Sequence, residues 1–488
     1  MPQLRPLPPG EATRLRDFFR DANYTADHVR QAVGITEFPS RRLRNQAQLM
    51  DRTAQPGRLS TLLRWFWIGT PVEPSLAEQF VPAWFTASCL GCGLLGPSPK
   101  GLVSDAMLVP WDEFLIASDH TLRIDAADPE LVLWPNPTSR LLSRFTIRRP
   151  SGLTLDLGTG SGVLALAAAA HSEQVVATDL NRRAIGYAQF NARLNGIENI
   201  ACLAGDGFSP VEDRRFDLIV TNPPFFITPS EEYLFCDNPF ELDQLCRRLV
   251  QEAPAHLNEG GYFQMLCEWA QLSGEPWEDR LAGWLRQTGC DAWVIKGITQ
   301  DPSAYALERV RGIDASPNHD AEKYACYMAY YQEKAVEAIH SGVVVMRRRS
   351  GQNWIRIEEM SHTPKEPFGD SVERMFTSRD FLQTHAEDGQ MLPVKPRLSP
   401  HARLEHAYEQ TGQTWQLSSA TLRLVKGFPL SVGVQPLVAD FLSRCDGTST
   451  LKELVESFAL GLDKTVETVQ PECLSVVRKL VECGFLLV

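Results

Sequence analysis

Hydrophobic positions change their period along the chain. From Leu153 onward, short apolar runs alternate with longer stretches of helical spacing, and five of these runs have the length and composition of strands: 153–157, 174–178, 200–203, 216–221 and 261–266. Alternation of this kind is typical of a parallel sheet covered by helices on both faces. The pattern therefore predicts a doubly wound α/β domain, with further strands at 292–296 and 342–347.

The flanking regions follow other patterns. Residues 1–130 carry helical runs followed by strand-like pieces between glycine and proline turns, which predicts an N-terminal helical or winged-helix-like domain. A helical cap with no ligand of its own is the alternative. The α/β domain is assigned to residues 131–361, with a helical insertion at about 302–338 whose tyrosines are expected to pack. Residues 362–400, rich in proline, serine, threonine and charge, are predicted to be a linker. A small C-terminal domain at 401–488 follows.

Composition changes this picture little. The chain has 488 residues, of which 43% are hydrophobic and 22% charged, as in soluble globular proteins of several domains. Its apolar runs are shorter than the roughly 20 residues of a membrane span, and the first residues do not read as a signal peptide. We therefore expect a cytoplasmic protein without a membrane partner. Eleven scattered cysteines argue against a disulfide framework, and the Cys89–Cys92 pair lacks the second pair that a zinc site needs, so no metal is expected.

Charge is spread unevenly within the net −12. Residues 1–150 hold 17 lysines and arginines against 15 acids, whereas residues 151–270 hold 7 against 16. Tight non-specific binding to nucleic acid depends on neutralising phosphates. The acidic central region argues against such binding there, although the N-terminal region could still provide it.

The most informative turn is Asp156-Leu157-Gly158-Thr159-Gly160-Ser161-Gly162, which follows the first apolar strand. Its glycines let the backbone turn tightly and approach a ligand closely. A dinucleotide site would have the spacing GxGxxG, whereas this turn has GxGxG.

Two acidic residues follow the next two strands. Asp179 ends the second strand, where a carboxylate can accept hydrogen bonds from both ribose hydroxyls. Gly205-Asp206-Gly207-Phe208 follows the third strand, where Asp206 can accept from an adenine amino group and Phe208 can pack near the base. Carboxyl ends of parallel strands meet at one edge, where open α/β sheets bind ligands.

With these turns, residues 136–270 resemble the class I S-adenosylmethionine-dependent methyltransferases, and the DLGTGSG run resembles that of the release-factor glutamine methyltransferases. The resemblance implies a seven-stranded parallel methyltransferase sheet with S-adenosylmethionine as cofactor. It implies that the glycines pass beneath the methionine part, that Asp179 holds the ribose, that Asp206 reads the adenine, and that Asp156 orients the loop and meets the ammonium group. The expected cofactor-binding residues are Asp156, Gly158, Thr159, Gly160, Gly162, Asp179, Asp206, Gly207 and Asn222.

The fourth strand is followed by Asn222-Pro223-Pro224-Phe225, which we interpret as the catalytic turn. The lone pair of an amide or aromatic amine is delocalised, so an enzyme helps by accepting hydrogen bonds from the NH2 group. Asn222 and the Pro223 carbonyl supply two acceptors, the prolines stiffen the turn, and Phe225 can stack on a flat substrate.

Three hypotheses on the substrate stay open. This NPP[FY] turn is shared by enzymes that methylate protein glutamines and by enzymes that methylate exocyclic amines of adenine or guanine. Phe225 leans toward some RNA enzymes, whereas the DLGTGSG loop leans toward protein substrates. The leading hypothesis is a protein glutamine amide, with a translation factor as one such partner. The alternative is structured ribosomal or transfer RNA, and the third is a binding protein that senses the cofactor.

Two further segments carry weaker predictions. Before the first strand, Thr138 and Ser139 are expected to cap a helix and line the pocket, or to cap it only, while Arg140, Arg144 and Arg148 share a face that meets phosphate or solvent. Near the C-terminus, the layout around Asp446 and Thr450 resembles PqqD-like winged-helix modules, which implies peptide binding. A purely structural appendage is the alternative.

Overall fold

The computed structural model describes residues 4–36, 46–120, 128–230, 232–313, 317–360, 366–428 and 430–488. The chain divides into two compact units, one of Met1–Ser143 with Pro150–Glu359 and the other of Arg144–Arg149 with Met360–Val488. Residues 314–316 of the predicted insertion, residue 361 of the predicted α/β domain and residues 362–365 of the predicted linker lie outside the described ranges.

The helices have the following bounds: α1 Pro9–Asp21, α2 Ala26–Val33, α3 Gln46–Arg52, α4 Arg58–Leu63, α5 Pro74–Ala77, α6 Ala83–Cys92, α7 Pro137–Phe145, α8 Val163–Ala169, α9 Arg182–Leu194, α10 Gln244–Glu252, α11 Trp277–Leu285, α12 Pro302–Ile313, α13 Pro317–Glu333, α14 Gly369–Thr384, α15 Asp388–Met391, α16 Pro436–Ser443, α17 Leu451–Gly461 and α18 Val466–Glu482. Among the described residues, no helix is both long and apolar enough to cross a membrane.

The strands have the following bounds: β1 Gly96–Ser98, β2 Gly101–Val103, β3 Ala106–Trp111, β4 Phe114–Asp119, β5 Ser151–Leu157, β6 Ser172–Asp179, β7 Ile200–Ala204, β8 Phe216–Thr221, β9 Leu257–Leu272, β10 Cys290–Gln300, β11 Val336–Arg348, β12 Ile355–Glu359, β13 Arg397–Leu398, β14 Ala402–Thr411, β15 Thr414–Leu424, β16 Ser431–Val434 and β17 Leu486–Leu487.

A central sheet in the order β12-β10-β11-β9-β8-β5-β6-β7 confirms the α/β prediction. The prediction of seven parallel strands is wrong, because the sheet has eight strands and β11 runs antiparallel to both of its neighbours. The insertion explains this direction. Helices α12 and α13 leave from the carboxyl end of β10 and return to that same edge, so β11 must run back across the sheet. The sequence did not predict strand β12, because four of its five residues are half-buried and Glu359 is exposed at the sheet edge.

The N-terminal helices and hairpins share a compact unit with the sheet, although the sequence predicted a domain of their own. Side-chain amides explain the attachment. The Asn191 amide of α9 accepts from the Ala117 N–H and donates to the Ala117 carbonyl, both at 2.8 Å, and Asn195 does the same with Leu115. Strand β4 is therefore hydrogen-bonded to a helix of the α/β domain, which a hydrophobic pattern does not reveal.

The second unit contains the three-stranded sheet β14-β15-β16 and helices α14 to α18. The prediction of a linker over 362–400 is wrong for 369–384, which form α14 and bury Val372, Met375 and Phe376. Thr450 caps α17, as predicted, in a capping box in which Glu453 Oε2 accepts from the Thr450 N–H at 2.8 Å. The likeness to PqqD-like modules stays a prediction.

Candidate active site

The predicted turns meet where the strand order of the sheet reverses. The chain runs outward from β5 to β6 and β7, and then places β8 on the other side of β5. The turns after β5 and β8 therefore flank the crevice in which open α/β sheets bind ligands. This geometry brings the glycine-rich turn, the residues after Asp179 and the NPPF turn to one edge.

Gly158 and Gly160 form an open part of the glycine-rich turn. Their φ angles are 75° and 54°, in the left-handed region, and a Cβ on either would meet no atom within 4 Å. The N–H groups of Gly158 and Thr159 donate to the Thr178 carbonyl at 2.8 Å, which ties the turn to β6. The backbone is therefore both fixed and open to a ligand.

Thr159 and Gly162, also predicted to bind the cofactor, face the protein instead. Thr159 Oγ1 donates to Asp156 Oδ2 at 2.6 Å. A Cβ on Gly162 would lie 3.1 Å from Ala188 of α9, so glycine is needed there for helix packing. In this geometry both residues support the turn.

Asp156 is fully buried and has one unpartnered oxygen. Its Oδ2 accepts from Thr159 and from the Ala165 N–H at 2.9 Å, whereas no donor among the described residues reaches Oδ1. Burial raises the pKa of this carboxyl to about 7. A buried acceptor without a donor is costly, so Oδ1 is suited to a ligand that brings a donor or a positive charge.

Asp179 links the glycine-rich turn to the end of β6. Its carboxylate accepts from the Gly160 N–H and from the Asn181 N–H, both at 2.8 Å, and burial raises its pKa. A carboxylate has about four acceptor positions, so two remain for ribose hydroxyls. Leu180 follows at the same strand end with 58% of its surface exposed.

The turn after β7 differs in part from the prediction. Asp206 is exposed, as a residue that reads a ligand should be, and the Gly205 N–H donates to the Asp179 carbonyl at 3.0 Å, which places the two acidic turns side by side. Gly207 has a φ of 51°. Phe208, expected to pack near the base, is buried and stacks on His256 with ring centroids 4.4 Å apart. That ring therefore stabilises the turn from below.

The side-chain amide of Asn222 has one polar atom with a hydrogen-bond partner and one without. Its Nδ2 donates to Thr138 Oγ1 at 3.2 Å, whereas its buried Oδ1 has no donor among the described residues. The expectation that Thr138 and Ser139 cap helix α7 is wrong. Asn136 holds that position, because its Oδ1 accepts from the Ser139 N–H at 3.1 Å.

The rest of the turn is packed tightly. Pro223 and Phe225 are buried, and the Pro224 carbonyl accepts from Asn238 Nδ2 at 2.7 Å. The backbone of Ile227 is held on both sides, since its N–H donates to Tyr305 Oη at 3.1 Å and its carbonyl accepts from Tyr331 Oη at 2.7 Å. The insertion helices thus fix the segment that follows the NPPF turn.

A buried ion pair supports the same segment and was not foreseen. Glu268 of β9 accepts from Tyr305 Oη and, at 2.8 Å, from the Arg309 guanidinium. That guanidinium stacks over the Phe226 ring at 3.7 Å. The sequence showed a stripe of tyrosines but not the hydrogen bonds made by their hydroxyls.

The residues that remain open fit S-adenosylmethionine. The turn at Gly158 and Gly160 leaves room for a chain passing over it, and Asp156 Oδ1 lies buried without a partner beside that turn. Asp179 retains acceptor capacity and Asp206 is exposed. A ligand with a positive charge, a ribose and an adenine would find its partners here. No group of three potential metal ligands occurs in the described part of the chain, and Cys89 and Cys92 are buried thiols.

The basic face expected on α7 is shorter than predicted, because the helix ends at Phe145, before Arg148, and its first arginine is engaged by neighbouring side chains. The Arg140 guanidinium donates to Asp112 at 3.1 Å and stacks on Trp111 at 3.8 Å. These contacts lie within the first compact unit, and they leave Arg140 less free to meet phosphates.

Comparison with known proteins identifies a methyltransferase domain in the part of the chain that contains these turns. Residues 136–276 match the family model "Methyltransferase small domain", and residues 373–488 match "Domain of unknown function (DUF7782)". A release factor glutamine methyltransferase of Bordetella pertussis is 36% identical over 199 residues, which are 37% of this chain and 69% of that protein. One of Xylella fastidiosa is 38% identical over 129 residues, 24% of this chain and 46% of that protein. A ribosomal RNA small subunit methyltransferase C of Alcanivorax borkumensis is 29% identical over 156 residues, 30% of this chain and 44% of that protein.

The match thus spans about half the length of the Xylella relative and more than two thirds of the Bordetella relative. Together with the methyltransferase domain model, it identifies an enzyme whose methyl donor is S-adenosylmethionine. The chain belongs to the methyltransferase family that includes the release factor glutamine methyltransferases.

Proposed function

We propose that the chain methylates the side-chain amide nitrogen of a glutamine in a protein. The observation that carries this proposal is the buried, unpartnered Oδ1 of Asn222 at the end of β8. An amide NH2 group supplies the donor that this oxygen lacks, and the Pro223 carbonyl offers a second acceptor. When bound, S-adenosylmethionine supplies an electrophilic methyl group. The turn's task is then to hold the substrate nitrogen in line, and a stiff, buried backbone suits it.

Charge favours a protein over an RNA substrate. Between residues 222 and 243, the loop that begins with the NPPF turn contains five acidic residues and neither lysine nor arginine. Where lysines approach this loop from the insertion they are paired, Lys323 with Glu232 and Lys334 with Glu241, each at 2.8 Å. The loop itself therefore offers no cation to a phosphate backbone, whereas a neutral protein segment needs none.

Relatives support the same choice. The names of the Bordetella and Xylella proteins give a release factor as substrate, and we extend a translation-related protein substrate to this chain. The Alcanivorax relative and Phe225 keep an exocyclic amine of ribosomal RNA as the alternative. A protein of translation would be met in the cytoplasm, where we place this enzyme.

The deciding experiment uses the full chain with radiolabelled S-adenosylmethionine and a total cell extract. Separate aliquots are then treated with protease and with ribonuclease. We expect protease to remove the label from the macromolecular fraction, and mass spectrometry of the labelled peptide to place the methyl group on a glutamine side-chain nitrogen. Label removed by ribonuclease alone would replace this proposal with the RNA alternative.

A further inference from the structure

An asparagine can accept from a substrate NH2 group only when its side chain is turned the right way. Rotation by half a turn would present Nδ2 at the position of Oδ1, and two NH2 groups would then face each other. Because Asn222 Oδ1 has no partner of its own among the described residues, the orientation must be set at the other atom of the amide.

That other atom contacts Thr138. Asn222 Nδ2 donates to Thr138 Oγ1 at 3.2 Å. A threonine hydroxyl could either donate or accept, but this one already donates its hydrogen to Asn136 Oδ1 at 2.6 Å. Toward Asn222 it can therefore only accept, and only an NH2 group satisfies it.

A backbone N–H group fixes the direction of these hydrogen bonds. Asn136 Oδ1 also accepts from the Ser139 N–H at 3.1 Å. A peptide N–H can only donate, so the Asn136 amide must present its oxygen there. The orientation is thus determined in sequence, from the Ser139 N–H to Asn136, from Asn136 to the Thr138 hydroxyl, and from Thr138 to Asn222.

We propose that Thr138 is a positioning residue that orients the Asn222 amide, so that its oxygen faces the nitrogen to be methylated. The inference rests on the function proposed above. It gives the first turn of α7 a task in catalysis, because the amino end of that helix determines which atom Asn222 offers to the substrate. In this role Thr138 acts through its hydrogen bond to Asn222 and not through a contact of its own with the substrate.

Thr138→Val tests this proposal, since it keeps the shape of the side chain and removes the acceptor. The measurement is the initial rate of label transfer from radiolabelled S-adenosylmethionine to ribonuclease-treated cell protein. We expect the rate to fall about two- to tenfold, the value of one neutral hydrogen bond. Thr138→Ser keeps the hydroxyl and should restore most of the rate. Affinity for S-adenosylhomocysteine, measured by calorimetry, should stay within about twofold in both variants and reports that the fold is intact.

A double-mutant cycle separates positioning from general damage. If Thr138 acts through Asn222, Thr138→Val should have no further effect in an Asn222→Ala background. Equal losses in both backgrounds, or a normal rate in Thr138→Val, would overturn this inference while leaving the proposed function intact. A normal rate in Asn222→Ala would instead overturn the proposed function, so the two failures are distinguishable.

Discussion

Two oxygen atoms in the active site are buried without a hydrogen-bond donor among the described residues, Oδ1 of Asn222 and Oδ1 of Asp156. Each unsatisfied acceptor destabilises the folded protein by about 1–3 kcal/mol. Asn222 follows β8, and Asp156 lies near the end of the adjacent strand β5, at the point where the strand order reverses. A cost of this kind is tolerated where a ligand supplies the missing donor, and we propose that these atoms lie on the substrate and cofactor sides of one site.

Asn222→Ala should lower single-turnover methyl transfer by roughly a hundred- to a thousandfold, because it removes one of two preorganised acceptors. Cofactor affinity should remain within about twofold, since the one hydrogen bond of the Asn222 side chain among the described residues is to Thr138 and not to the glycine-rich turn. Asn258→Ala is a matched control. That asparagine donates to Asp217 at 2.8 Å near the start of β9, at the opposite edge of the sheet. Normal transfer in Asn222→Ala would make the NPPF turn purely structural.

Asp156 should make the stability of the cofactor-free protein depend on pH. Its folded pKa of about 7 lies above the ordinary 3.8, because burial disfavours the charged carboxylate. The unfolded chain therefore releases this proton first. The stabilisation by the protonated form is complete below about pH 4 and is lost as the pH rises to about 7, at most about 4 kcal/mol.

Urea unfolding from pH 4.5 to 8 measures this dependence, with Asp156→Asn as the comparison, because an amide does not titrate. The difference in unfolding free energy between the wild type and Asp156→Asn should shift in favour of the variant as the pH rises. The positively charged cofactor favours the carboxylate, so wild-type affinity for S-adenosylmethionine should rise through the same range. If the difference in unfolding free energy between the two proteins did not change with pH, the raised pKa of Asp156 would be contradicted.

At the scale of elements, the insertion is the main support of the catalytic loop. Helices α12 and α13 contact it through Tyr305 and Tyr331 at Ile227, through Arg309 at Phe226, and through Tyr330 at Leu242. Tyr331→Phe removes the donor to the Ile227 carbonyl and leaves a buried acceptor unpaired.

We expect Tyr331→Phe to lower the free energy of unfolding by about 1–3 kcal/mol and to reduce kcat/KM for the substrate, with cofactor affinity unchanged. Tyr324→Phe is the control on the same helix, since its hydroxyl makes no hydrogen bond with the described residues. Urea unfolding and initial transfer rates measure the two effects. Equal behaviour of the two variants would mean that the tyrosines contribute only by packing.

The sequence predicted the elements of the sheet well because their period is local. Strand β8 has the predicted bounds, and the turns after β5 and β8 lie at the predicted edge. The direction of β11 could not be predicted in this way, since it depends on where the insertion returns. The second unit contains α14 where a linker was predicted. Val372, Met375 and Phe376 have the i, i+3, i+4 spacing of a buried helical face, but the prediction followed the polar composition of the segment instead of this spacing.

The contacts at the site were harder to predict from the sequence, because they join residues that are far apart along the chain. The strand-end positions of Asp179 and Asn222 follow from the strand pattern. The partners of Asn222 do not, since Thr138 lies 84 residues away in the sequence. The prediction that Phe208 packs near the adenine was wrong for the same reason, because its stacking partner His256 is distant in the sequence.

At the scale of the whole molecule, the distribution of charge bears on the choice of substrate. The net charge of −12 is concentrated in the central region, where residues 151–270 carry 16 acidic and 7 basic residues. Arg140 lies two residues after Thr138, which contacts Asn222, and its guanidinium is paired with Asp112. An RNA substrate would have to bring its phosphates close to a region with an excess of acidic residues, without compensation from that arginine.

Salt dependence therefore distinguishes the two substrate classes. Each phosphate contact that releases counterions contributes about −0.7 to −0.9 to the slope of log affinity against log salt, so an RNA held by about six phosphates would give a slope of about −4 to −5. The methyl-transfer rate with ribonuclease-treated protein is measured at salt concentrations from about 50 to about 300 mM. We expect the slope of the log rate against log salt to be shallower than about −1.5. Arg140→Ala should leave this slope unchanged, because the guanidinium is engaged by Asp112 and Trp111. A steep slope that becomes shallower in Arg140→Ala would place phosphates against α7, and the acidic loop would then have to lie away from the substrate.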